Sequence, residues 1–103
     1  MSAHTPTSGA ITKIISDNPT VLGTGAIEFS TITFIAYNAA RTENTSTVYI
    51  QTTSGASDAG IPLAPGGSVT ITAPSKGVLN DSQFYIGGTA GQGVIGFWMR
   101  SPL

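Results

Sequence analysis

Gly60-Ile61-Pro62-Leu63-Ala64-Pro65-Gly66-Gly67-Ser68-Val69-Thr70-Ile71-Thr72 holds a turn and a strand in one run. Pro62 and Pro65 fix φ and remove two backbone donors, while Gly66 and Gly67 admit positive φ. Ser68 to Thr72 then alternates polar with apolar, so the stretch reads as a rigid corner followed by a half-buried strand. Upstream, Thr47 to Thr52 (TVYIQT) alternates strictly, with Val48 and Ile50 inward and Tyr49 outward. Downstream, Gln83 to Gly88 followed by TAGQGVIGFWM repeats the logic as an aromatic strand, a glycine turn and an apolar strand, Phe84 to Ile86 and Val94 to Met99. Thr89 to Gly93 between them is predicted to be a hairpin loop.

The rest of the chain fits the same scheme. Met1 to Gly9 is polar and without period, and is predicted to be a mobile arm. Ala10 to Ile15 is a first short strand, ended by a turn at Ser16-Asp17-Asn18-Pro19. Val21-Leu22 is extended, and Ala26 to Ala36 is the longest β-like segment. In it Ile32, Phe34 and Ala36 share one face while Thr31, Thr33, Ile35 and Tyr37 share the other, as in a central strand or one that meets another chain. Asn38 to Ser46 and Ser54 to Gly60 are polar loops, and Ala73 to Ser82 is a longer connection in which Val78 and Leu79 are expected to tuck under as a plug. No segment keeps a 3.6-residue apolar period with caps, so no long helix is expected. Seven or eight short strands spaced by roughly 8 to 12 residues predict an all-β fold. The expected architecture is a single antiparallel β-sandwich with jelly-roll-like topology, spanning residues 10–103 after an arm at 1–9.

At 103 residues the chain is one domain. Only 9% of residues are charged and the net charge is −1, so no basic patch exists to neutralise phosphates and nucleic acid is a poor partner. Hydrophobic residues make up 40%, which excludes a disordered chain of low hydrophobicity and high charge. The surface is then one of Ser, Thr, Asn, Gln and Gly, which offers little repulsion between neighbouring copies. There is no cysteine, hence neither disulfide nor thiolate zinc site. Residues 1–13 lack a basic segment followed by an apolar run, and Gly93 to Met99 is far short of the ~20 apolar residues of a membrane helix. Synthesis as a soluble cytoplasmic product, without membrane contact, is the expectation.

Candidate chemistry is thin. Gly91-Gln92-Gly93-Val94-Ile95-Gly96 matches G-x-G-x-x-G, but a dinucleotide site needs a helix and a second parallel strand after the glycines, and too little chain follows. The only histidine, His4, lies in the arm, where nothing holds a general base in place. Without cysteine or a second histidine no nucleophile-base pair assembles. Asp17, Glu28, Glu43, Asp58 and Asp81 have no calcium-loop spacing and fall in or beside predicted loops, where solvated charge is the default. Asn44-Thr45-Ser46 and Asn80-Asp81-Ser82 read as N-x-S sites that a Ser/Thr-rich composition produces by chance. No catalytic residue, cofactor or metal ligand is therefore assigned. Tyr37, Tyr49, Tyr85 and Trp98 serve as core and cross-strand pairs, as anchors of a protein interface, or as a stacking platform for sugars. His4, Tyr37, Tyr49 and Trp98 are the predicted contact residues.

The run Gly60 to Val69, followed by Phe84-Tyr85-Ile86-Gly87-Gly88-Thr89-Ala90-Gly91-Gln92-Gly93-Val94, resembles a pattern found in small virion structural proteins of tailed bacteriophages. The likeness covers about Thr47 to Phe97 and departs at Gly67, where such proteins usually carry a charged residue. It implies a non-enzymatic capsid decoration (cement) protein on the outside of the phage head. Its implied partners are the major capsid protein and further copies of itself in a homotrimer, and the arm orders on the capsid. A tail or head fibre accessory that binds a host receptor or glycan is the alternative the likeness leaves open.

Overall fold

Short alternating segments separated by glycine, proline and asparagine cannot build helices, and in the computed structural model they build strands. The structure describes residues 7–16, 19–38, 42–52, 60–74 and 77–100. Ten strands follow in order: β1 (Thr7–Ile14), β2 (Thr20–Val21), β3 (Glu28–Phe29), β4 (Thr31–Ile35), β5 (Val48–Gln51), β6 (Ile61–Leu63), β7 (Ser68–Thr72), β8 (Leu79–Asn80), β9 (Tyr85–Gly87) and β10 (Gly93–Arg100). One four-stranded sheet has the order β1-β10-β4-β7, a second has β2-β9-β5-β6, and β3 pairs with β8 alone. All pairings are antiparallel.

The pairs β1·β10, β2·β9, β3·β8, β4·β7 and β5·β6 are nested, each enclosing the next. The chain is one long hairpin with its tip between β5 and β6, rolled so that β10 meets β4 and β9 meets β5. That roll is the jelly-roll sandwich, whose eight main strands form the two sheets. The fold class expected from the strand spacing is the one observed.

The organising corner joins the sheets. Pro62 sits in edge strand β6, where a missing donor costs no ladder bond. Gly67 N–H donates to Ala64 O at 2.7 Å, and Gly66 has φ of 76°, so Ala64 to Gly67 is a type II turn with proline and glycine where that turn needs them. The chain leaves the turn as β7 in the other sheet. The second glycine stretch was expected to close a hairpin, and it does not: β9 and β10 lie in different sheets and are not paired. It is a second crossing, because Phe84 and Ile86 must face the core from one sheet while Val94 faces it from the other.

Both corners meet a single loop. Ala36 O accepts from Gly66 N–H and from Asn44 N–H, each at 3.2 Å. Asn44, 3% exposed, donates its Nδ2–H to Gly93 O at 2.8 Å and accepts from Gly93 N–H through Oδ1 at 3.0 Å. Gln92 Oε1 accepts from Thr45 N–H at 2.6 Å and Ser46 N–H at 3.2 Å. A side-chain amide here does the work of a short strand, satisfying the first residue of β10 from the side where β4 has ended.

Between the sheets lie Ile15, Leu22, Phe29, Ile32, Phe34, Val48, Ile50, Leu63, Phe84, Ile86 and Val94, all buried. Phe84 is at the centre, with ring centroids 5.4 Å from Phe34 and 6.0 Å from Phe29. Ile32, Phe34 and Ala36 share a face, as their alternation predicts, and that face is the buried one on a central strand, while Val48 and Ile50 point inward from β5 as expected.

Other expectations shift. Thr7 to Gly9, read as the end of the arm, belong to β1 and lie opposite Arg100 to Trp98; residues 1–6 lie outside the described residues. The long Ala26 to Ala36 segment breaks at Ser30, whose N–H and hydroxyl both turn to Met99 O, so β3 pairs with β8 while β4 joins the sheet. Of the expected plug, Leu79 packs against the core but Val78 is 49% exposed, because Leu79 is the residue fixed opposite Phe29.

Candidate interaction surface

Strand β10 reads GVIGFWMR and has apolar residues at both parities, so alternation alone does not say which face it buries. The register decides. Trp98 lies opposite Ile32 and Gly96 opposite Phe34, and both β4 partners are fully buried, so Val94, Gly96 and Trp98 face the core. Ile95, Phe97 and Met99 face away, beside Ile35, Thr33 and Thr31 on β4 and Thr12, Ala10 and Ser8 on β1.

This outer face is neutral. Ile95 is buried at one end, and the line then rises through Phe97, 42% exposed, to Met99, 50% exposed. Phe97 and Met99 form one wall of a groove of about 500 Å³ lined also by Ser8, Ala10, Thr31 and Thr33, with Gly9 and Trp98 from the same strands. Thr33 and Thr70 hydroxyls pair across the strands at 2.8 Å, so part of the Thr side is already hydrogen-bonded within the protein. Arg100, which follows Met99 in β10, and Glu28 form an ion pair at 3.3 Å with both side chains about half exposed. Such a pair adds little stability.

Two partly exposed apolar side chains ringed by small hydroxylated ones suit contact with a protein surface. Among the described residues no group of three or more His, Cys, Asp and Glu side chains is placed to hold a metal ion, and no helix is long and apolar enough to cross a membrane.

The predicted contact residues do not assemble. His4 lies outside the described residues. Tyr49 is half-buried on β5, opposite Pro62 and Gly87, on the face away from Val48 and Ile50, as its parity predicts. Tyr85 shares that second sheet, while Tyr37 follows β4 and bridges to Glu43. Trp98 belongs to the first sheet and faces the core, over Gly9: a Cβ there would stand 2.8 Å from the Trp98 ring. Tyr49 and Tyr85 thus share the outer face of the second sheet, whereas Trp98 stands on the core side of the first, so the four do not gather on one surface. Sequence reasoning missed Phe97 and Met99. The available signal was Thr31 and Thr33, polar partners that mark the outer face once the β4 register is known.

The carboxylates hold a further surprise. Asp81 was expected in solvent and is 4% exposed. Its Oδ1 accepts from Gly25 N–H at 2.7 Å and Ile27 N–H at 3.5 Å, clasping the segment before β3. The clasp sits in a 3-10 turn, Asp81–Gln83, closed by a capping box between Asn80 and Gln83. Glu28 stands in β3, within the segment Ala26 to Ala36 read as β-like. No family model, curated protein or solved structure matches the chain.

Proposed function

We propose that this chain is a non-enzymatic docking module of a virion, a capsid decoration protein that lays the outer face of β1, β10 and β4 against the major capsid protein on the outside of a phage head. The observation that carries the docking surface is the neutral groove walled by Phe97 and Met99. The phage setting comes from the resemblance of Thr47 to Phe97. Covering the exposed parts of two such side chains contributes on the order of 1 kcal/mol each. That is weak for one contact, but many copies on a repetitive shell, each touching more than one subunit, gain by multivalency.

The test is co-sedimentation with purified heads. The double variant Phe97→Ser, Met99→Ser should fold, since both residues face outward, and should fail to co-sediment. Retained binding would sink the assignment of this face. A glycan-array signal together with a few copies per particle would place the protein instead on a tail or fibre.

A further inference from the structure

Strand β1 is an edge strand eight residues long, without proline and with one charge, Lys13. A long edge with free backbone groups recruits another strand unless proline, charge, a bulge or a covering segment prevents it. Among the described residues no strand covers β1. Which of its groups are free follows from the ladder. Gly93, opposite Ile14, gives both its N–H and its carbonyl to Asn44, and the next bond runs from Ile15 N–H to Gln92 O at 2.8 Å. Antiparallel pairs alternate between bonded and non-bonded. Thr7, Gly9, Ile11 and Lys13 therefore bond to β10, while Ser8, Ala10, Thr12 and Ile14 turn N–H and C=O to the open edge.

We infer that β1 of a second copy of this chain occupies that edge, antiparallel about a two-fold axis through Ile11, joining two four-stranded sheets into one of eight strands. Bonded pairs require edge-presenting residues opposite one another, and centring on Ile11 sets Ser8 against Ile14 and Ala10 against Thr12 on both sides of the axis. All four edge residues are then used. Lys13 falls opposite Gly9 rather than Lys13 of the second copy, so like charges do not meet. Ile11, half-buried and packed on the core side, faces its own copy in a non-bonded pair, where side chains approach most closely. A net charge of −1 per copy opposes this little. The axis is perpendicular to the sheet, so both Phe97 and Met99 walls lie on the same side. The dimer presents the proposed docking face twice.

Sedimentation equilibrium of the full chain over a dilution series should give twice the 10.5 kDa of one copy, falling to one copy on dilution. Thr12→Pro removes an edge donor without touching a bond to β10. It should raise the dimer dissociation constant by about tenfold or more, because each copy loses one bond and meets a proline ring. Ile11→Cys, in a chain that has no cysteine, should form an intermolecular disulfide on oxidation, while Lys13→Cys should not. A single-copy mass throughout, the three-copy mass implied by the phage resemblance, or Thr12→Pro dimerising as tightly as the parent overturns the inference. If Thr12→Pro fails to fold, the two cysteine variants decide: cross-linking at both positions or at neither refutes the register.

Discussion

Replacing Asn44 tests whether one side chain holds the corner end of the sandwich together. Asn44→Ala removes the bond to Gly93 O and the acceptor for Gly93 N–H, 2.8 and 3.0 Å in the parent, and leaves both groups of a buried glycine without their partner. Each orphaned group costs about 1–3 kcal/mol, so with partial rescue by water the loss is about 2–4 kcal/mol. Against a domain stability of ~5–15 kcal/mol this is large, and it lowers the melting temperature by roughly 10–25 °C. Urea unfolding should show the midpoint falling at constant slope. Asn44→Asp refines the reasoning. An ionised carboxylate beside Gly93 O repels it, whereas the protonated acid donates as the amide does. Burial raises the folded-state pKa of the introduced acid above its unfolded value of about 3.9. The variant should therefore approach the parent in stability below that pH and fall progressively behind as pH rises through the raised value. A loss below about 0.5 kcal/mol for Asn44→Ala, the size of an ordinary surface substitution, would refute the clasp.

Phe34→Ala opens a cavity beside Phe84, with which Phe34 makes a tilted ring contact at 5.4 Å, and should cost about 3–5 kcal/mol by urea denaturation; under 1 kcal/mol would mean the two sheets do not share this core. Asp81→Asn keeps the shape but weakens acceptance from Gly25 and Ile27 N–H, and should cost about 1–2 kcal/mol with faster amide exchange at those two residues. Unchanged exchange there would remove the clasp assigned to Asp81.

What was legible in the chain was its local chemistry. Strict alternation gave the inward residues of β5 and sorted those of β4 into two faces without saying which is buried, and Pro65-Gly66 gave a turn whose type needs those two residues in that order. Neither the turn nor the second glycine run says which strand comes next in space. A hairpin and a sheet crossing have the same local sequence, and only the burial of Phe84, Ile86 and Val94 between two sheets separates them. Asn44 and Asn80 read as chance glycosylation sites, yet their side chains satisfy Gly93 and the 3-10 turn, partners distant in sequence for one and adjacent for the other. Asp81 read as solvated because its acceptors' partners, Gly25 and Ile27, lie far upstream. Trp98 was misplaced because both parities of β10 are apolar, and a period-2 argument needs a polar face to work from.

The nested pairing has a consequence for how the molecule comes into being. Among the described residues the tip, β5·β6, is the only pair of consecutive strands that bond to one another, and once it closes each outer rung closes a short loop rather than the whole chain. Assembly can run from the middle of the sequence outward, so the long separation between partners such as Thr7 and Arg100 overstates the entropy paid at each step. The order of synthesis is different. Strand β10 is made after the other nine strands described and belongs in the interior of its sheet between β1 and β4, so until it arrives β1 has no neighbour there and β4 keeps one open side. Strand β10 is a keystone of its sheet, and before it is in place the unpaired edges of β1 and β4 are exposed to association with other chains.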